Sequence, residues 1–184
     1  VLAGHSLGEY SALTCAGVIN LGDAVRLVRT RGQLMQKAVG QGEGSMAAIL
    51  GLDDEQVRSA CAQAAQGGVV EAVNFNAPGQ VVIAGSVDAV ERAIAACKEA
   101  GAKRAMALPV SVPSHCALMK PAAVQLADTL NSTRFHAAEM PVINNVDVAM
   151  ETDPEKIRDA LIRQLYSPVR WVETIQALKE QGVG

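Results

Sequence analysis

Gly4-His5-Ser6-Leu7-Gly8 follows the short apolar run Val1-Leu2-Ala3 and precedes a stretch of small, helix-forming residues. The G-x-S-x-G pattern is that of a nucleophile elbow: a strand enters, the chain turns sharply at the serine, and a helix leaves. Gly4 and Gly8 are expected to leave the space that such a turn denies to Cβ atoms. The turn would lift the Ser6 hydroxyl clear of the sheet. It would also set the Leu7 N–H at a helix N-terminus, where a developing oxyanion is stabilised. The chemistry this suggests is acyl transfer through a covalent acyl-serine.

A serine hydroxyl is a weak nucleophile near neutral pH and needs a base within hydrogen-bond reach. The sequence offers three histidines. His5 adjoins Ser6, and in such a turn its side chain points away from the hydroxyl, so it reads as a packing or orienting residue. His136, between Phe135 and Ala137, reads as a solvated loop residue. His115, in the Pro-bounded loop Val112-Pro113-Ser114-His115, is the candidate base. No aspartate stands in an obvious triad setting, so a Ser-His dyad is expected, with a backbone or amide carbonyl fixing the imidazole tautomer. Arg29 and Arg31 lie about 200° apart on a helix, so one can face solvent while the other points inward. An inward guanidinium grips a planar carboxylate or phosphate. If that residue is Arg31, the acyl group on Ser6 should itself carry a carboxylate.

The elements that must hold these residues can be drawn from pattern. Residues 1–8 read as a strand and elbow, Glu9 to about Ala16 as a helix, and the apolar stripe Val25, Leu27, Val28, Leu34 and Met35 as a second helix capped by Asn20 or Asp23. After a Gly-rich break at residues 40–44 come a strand (45–52), a helix opened by a capping box at Asp53 and Gln56, two strands (69–76 and 80–85) around a Pro-Gly turn, a helix from Ser86 or Asp88 to Ala100, and a strand (102–110). This β-α-β-β-α-β order is ferredoxin-like. The fold class is therefore α/β, with an inserted ferredoxin-like subdomain at 44–110 and a larger subdomain at 1–43 and 111–184. In the latter, a helix over 118–130, a strand at 141–145 and helices opening at Asp153-Pro154 and Ser167-Pro168 are expected.

The 184 residues are 49% hydrophobic and 3% aromatic, so the core must be built of Ala, Val, Leu, Ile and Met. A net charge of −3 argues against nucleic acid as a partner. No apolar run is long enough for a membrane span, and no signal peptide is visible, which points to the cytoplasm. Cys15, Cys61, Cys97 and Cys116 are scattered without metal-like spacing and read as buried free thiols. The chain starts on the strand that feeds the elbow and ends where a helix would hand over to a further strand. It reads as the middle of a larger domain, and alone it is expected to be poorly stable and weakly active.

Five stretches, GHSLGEYSAL (4–13), RLVRTRGQLMQ (26–36), NFNAPGQVVIAG (74–85), PVSVPSHCALM (109–119) and QLYSPVRW (164–171), together resemble the malonyl-CoA:acyl-carrier-protein transacylases of fatty-acid synthesis. The resemblance covers essentially the whole chain and keeps the motif order. It implies an α/β-hydrolase-like large subdomain with the site between the two subdomains. It implies Ser6 as nucleophile, His115 as base, Arg31 as the residue binding the malonyl carboxylate, and Gln164 as the source of the carbonyl that orients His115. It further implies the Leu7 N–H as half of the oxyanion hole, and Met35 and the loop around Ser114 as walls of the acyl pocket. The implied partners are malonyl-CoA and an acidic acyl carrier protein, with Lys103, Arg104, Lys120 and Arg134 as candidate docking residues. No metal or redox cofactor is implied, and a monomer is expected. The family's N-terminal segment, whose glutamine lends the second oxyanion donor, is absent from these residues.

Three other readings compete. A serine esterase or thioesterase would use the same Ser and His but needs no arginine in the pocket. An acyltransferase domain of a polyketide synthase would share every motif, although VPSH looks more like the stand-alone enzyme. A degenerate carrier-binding module would not be expected to keep Ser6, Arg31, His115 and Gln164 together.

Overall fold

The structure, a computed structural model, describes residues 1–183. It is a mixed α/β fold. Strand β1 (Leu2–Ala3) leads through the elbow into α1 (Leu7–Cys15), and α2 (Leu21–Lys37) follows, capped by Asn20, whose side chain accepts the Asp23 N–H. A second run comprises β2 (Gly44–Leu50), α3 (Asp54–Ala65), β3 (Val70–Ala77), β4 (Gln80–Ser86), α4 (Val87–Glu99) and β5 (Arg104–Ala107). The chain then passes through a single 3₁₀ turn into α5 (Lys120–Ser132), the short strands β6 (Val142–Ile143) and β7 (Met150–Glu151), α6 (Pro154–Gln164) and α7 (Trp171–Glu180).

Two sheets result. The first has the order β1-β6-β7, with β1 parallel to β6 and β6 antiparallel to β7. The second has the order β3-β4-β2-β5 and every pairing is antiparallel. One apolar cluster, including Tyr10, Leu13, Leu27, Leu126, Leu130 and Leu161, fills the space among α1, α2, α5 and α6. Another, including Ile49, Val57, Val81, Ile83 and Val90, lies between the four-stranded sheet and α3 and α4. On the other face of that sheet Met46, Val73 and Ala84 pack with Cys116, just after His115. The loop carrying the candidate base is thus seated on the second sheet.

Local signals act as expected at several points. Asp53 and Gln56 form both bonds of a capping box at α3, and Asp153 caps α6 with Pro154 in its first turn. Elsewhere tertiary contacts override the local pattern. Ser167-Pro168 does not open the last helix, which begins after Arg170. Val169 instead bridges to the bulged end of β3: its N–H donates to the Val73 carbonyl (2.8 Å) and its carbonyl accepts the Phe75 N–H (3.0 Å). That bond pair keeps the segment extended and ties it to the second sheet. The expected strand at 102–110 is only four residues long, and β7 was not anticipated. Ser86 precedes α4, but its hydroxyl turns to the Val69 carbonyl rather than capping the helix. Cys61, Cys97 and Cys116 are buried, whereas Cys15 is exposed, contrary to the expectation of four buried thiols.

Candidate active site

The elbow is a strained turn. Ser6 adopts φ 51° and ψ −107°, a region that costs a non-glycine residue about 1–3 kcal/mol unless its surroundings hold it there. The surroundings do so through Asn145 at the end of β6. Its side-chain oxygen accepts the Ser6 N–H (2.6 Å), and its amide nitrogen donates to the Gly4 carbonyl (2.8 Å). Gly4 is required, because a Cβ there would overlap the Gly8 backbone. Gly8 is not required on the same ground: a Cβ at that position would meet open space. The tightness of the turn therefore falls on the first glycine alone.

Four candidate residues converge. Ser6 Oγ lies 2.8 Å from His115 Nε2. His115 Nδ1 lies 2.8 Å from the main-chain carbonyl of Gln164. A carbonyl oxygen only accepts, so Nδ1 carries the proton and Nε2 is left as the acceptor facing the serine hydroxyl. The orienting group is a backbone oxygen, not a carboxylate. Arg31 donates from Nη2 to Ser6 Oγ (3.0 Å) and to Gln164 Oε1 (3.2 Å). The helical phase holds: Arg31 is buried on α2 while Arg29 is exposed. His115 itself has a positive φ of 66°, so Ser6 and its hydrogen-bond partner both sit in strained backbone.

Burial sets the electrostatics. His115 is 3% exposed, and desolvation, aided by the neighbouring Arg31 cation, pushes its pKa down to about 4. Its imidazole is therefore neutral near pH 7 and able to accept a proton. Desolvation also lowers the pKa of Arg31, but a guanidinium remains charged near neutrality. Among the described residues no carboxylate lies within ion-pairing distance of Arg31, and its buried Nε has no hydrogen-bond partner. A buried cation with an open donor is a receptor for an anion.

The remaining predicted positions are placed less directly. The Leu7 N–H is the first of α1, where no intrahelical acceptor exists for it, and the Leu7 side chain is exposed. Met35 is one turn beyond Arg31 on the same face of α2 and is buried in the first apolar cluster. Ser114 is half-buried beside His115, and its N–H donates to the Val112 carbonyl (2.9 Å). His5 turns from the hydroxyl to Asn76 on β3 (2.8 Å) and packs edge-on against Trp171. His136 is exposed. The four candidate docking cations are spread over different elements. Lys120 opens α5 and Arg134 lies beyond its far end, about 20 Å away at 1.5 Å per residue, while Lys103 and Arg104 are at the edge strand β5 of the other sheet.

Sequence reasoning missed Asn145 and Glu9. Asn145 had a signal, since it follows a parallel strand, and the carboxyl ends of such strands are where α/β sites form. Glu9 had one too. It is an acid at the i−4 position from Leu13, hence on the core face of α1, and it is 2% exposed.

Residues 1–184 match the family model described as an acyl transferase domain. The curated malonyl CoA-acyl carrier protein transacylases of Escherichia coli and Bacillus subtilis are 64% and 49% identical to this chain, over 100% and 98% of it. The chain spans 59% and 57% of the length of those two relatives. The solved acyl carrier protein S-malonyltransferase of Vibrio cholerae is 69% identical with a TM-score of 0.98, covering 99% of this chain and 60% of that one. A malonyl-transacylase solved in complex with a type II PKS acyl-carrier protein is 62% identical with a TM-score of 0.99, covering 100% of this chain and 60% of that one.

Proposed function

Because the chain belongs to the acyl transferase domain family, we propose that the protein moves a malonyl group from malonyl-CoA to the phosphopantetheine thiol of an acyl carrier protein, in the cytoplasm, through a malonyl ester on Ser6. The observation that carries this reading is the buried Arg31 guanidinium beside Ser6 Oγ, with a donor still open. In a malonyl ester the free carboxylate is three bonds from Oγ, within the reach of that guanidinium. A neutral acyl group offers it nothing to bind. The names of the relatives agree with this acyl group and with this acceptor.

The reaction follows from the atoms in place. Ser6 Oγ attacks the thioester carbonyl carbon as its proton passes to His115 Nε2. The carbonyl oxygen becomes an oxyanion beside the Leu7 N–H and the positive end of α1. The C–S bond breaks, and the leaving thiolate takes the proton from His115. The carrier thiol then gives its proton to Nε2 as its sulfur attacks the ester carbon, the ester C–O bond breaks, and the departing Ser6 Oγ takes that proton back from Nε2. Such a two-stage exchange is ping-pong. The neutral, tautomer-fixed His115 supports a Ser-His dyad in which the Gln164 carbonyl does the orienting. A backbone carbonyl in place of a carboxylate, together with the arginine, favours this reading over a hydrolase.

We read the architecture as an α/β-hydrolase-like large subdomain (1–43 and 111–184) holding a ferredoxin-like one (44–110). The βαββαβ order and the antiparallel β3-β4-β2-β5 sheet support the latter. The test is peptide mapping of the full-length protein after brief exposure to malonyl-CoA. A malonyl adduct on the peptide carrying Ser6, absent in Ser6→Ala, is expected. An adduct elsewhere, or one that survives Ser6→Ala, would overturn the assignment.

A further inference from the structure

The Glu9 carboxyl takes no part in the steps above, yet it is hydrogen-bonded to two of the residues that frame them. It is buried, and its Oε2 accepts two hydrogen bonds, from Gln164 Nε2 (2.8 Å) and from the Asn145 backbone N–H (3.0 Å). Each donor belongs to a residue that holds the reacting groups. The Gln164 main chain orients His115, its Oε1 accepts from Arg31, and its Nε2 also donates to the Ser6 carbonyl (3.1 Å). The Asn145 side chain clamps the elbow on both sides of His5, at the Ser6 N–H and the Gly4 carbonyl. One carboxyl oxygen thus joins the end of α6, the end of β6 and the first turn of α1.

We propose that Glu9 is a positioning residue for acyl transfer: by bridging the Gln164 amide to the Asn145 backbone it holds the His115 carbonyl partner and the elbow in one fixed relation. The role rests on the Ser6–His115 reading above. The chemistry of the acceptor matters. Both donors are buried, so an apolar residue at position 9 would leave two N–H groups without partners. A carboxyl is symmetric and presents an oxygen whichever way it turns, whereas an amide must be turned correctly to do the same. Because buried groups tolerate little slack, displacing either strut by about 1 Å shifts Nε2 relative to Oγ, a change that can cost ~10²-fold in rate.

The experiment is steady-state transfer by the full-length protein, varying malonyl-CoA, for wild type, Glu9→Ala, Glu9→Asp and Glu9→Gln, with folding checked by circular dichroism. Glu9→Ala should lose about 10²-fold in kcat with KM changed by no more than about threefold, as expected for lost alignment. Glu9→Asp keeps the carboxyl but withdraws the acceptor by one methylene, and should lose kcat in the same sense if Glu9→Ala does not fold. Glu9→Gln keeps the reach and one oxygen, and should recover to within about tenfold of wild type. A folded Glu9→Asp with wild-type kcat, or a loss confined to KM, would overturn the positioning role alone. Failure of wild type itself to acylate Ser6 would overturn the acyl-transfer reading instead.

Discussion

Replacing Arg31 by Ala removes a buried guanidinium that donates to Ser6 Oγ at 3.0 Å and to Gln164 Oε1 at 3.2 Å and keeps Nε unpaired. For a malonyl donor the loss is a charge-assisted hydrogen-bonded pair, worth about 1.5–3 kcal/mol. At ~1.4 kcal/mol per factor of ten, acylation by malonyl-CoA should slow by about 10- to 150-fold. An acetyl donor has no carboxylate to lose. It forfeits only the contact to Oγ, about 1 kcal/mol or roughly fivefold. Preference for malonyl over acetyl should therefore fall by about two- to thirtyfold. A second readout comes from the same substitution. The Arg31 cation helps to depress His115, so the acidic limb of the acylation rate, expected near pH 4 in the wild type, should move to higher pH. The assay is the rate of acyl-Ser6 formation from each donor, followed by intact mass across pH. Equal losses for both donors would refute the carboxylate role, and an unmoved acidic limb would refute the electrostatic one.

Other substitutions test the frame around the site. Gly4→Ala drives a Cβ into the Gly8 backbone and should cost several kcal/mol or abolish folding, whereas Gly8→Ala enters open space inside a helix and should be neutral or stabilising by up to about 1 kcal/mol in chemical denaturation. Two buried groups titrate in opposite senses. His115 falls from 6.5 to about 4, so the folded state binds fewer protons between those values and stability is lost as pH falls from 6.5 to 4. Glu9 rises from 4.5 to about 7, chiefly through burial, so stability is lost as pH rises from 4.5 to 7. Their slopes offset each other between about pH 4.5 and 6.5 in the wild type. In Glu9→Gln only the His115 slope remains, and stability should climb by about 2–3 kcal/mol across that window relative to wild type in urea titrations. Parallel pH profiles for the two proteins would contradict the assigned burial effects.

Much of the site was legible because its signals are local. Gly4 and Ser6 lie two residues apart in one turn, and the opposite phases of Arg29 and Arg31 follow from helix geometry alone. The capping box at Asp53 and the Asp153-Pro154 start were equally local. What escaped depends on residues distant in sequence. Glu9 looks like an acid placed in the first turn to complement the helix dipole, a common arrangement. Only the packing of α6 and β6 against α1 turns it into a buried acceptor for Gln164 and Asn145. Val169 reads as the first turn of a helix until β3 offers it backbone partners.

The central claim is that a carboxylated acyl group rests on Ser6 and leaves for a thiol. The most direct test isolates the full-length protein after reaction with malonyl-CoA, removes the donor, and chases with holo acyl carrier protein or with buffer alone, following both proteins by intact mass. The account predicts a malonyl adduct that persists in buffer and moves to the carrier. An adduct released to water at the same rate with or without the carrier would contradict it and make the protein a hydrolase, and the absence of any adduct would remove the acyl-serine on which the account is built.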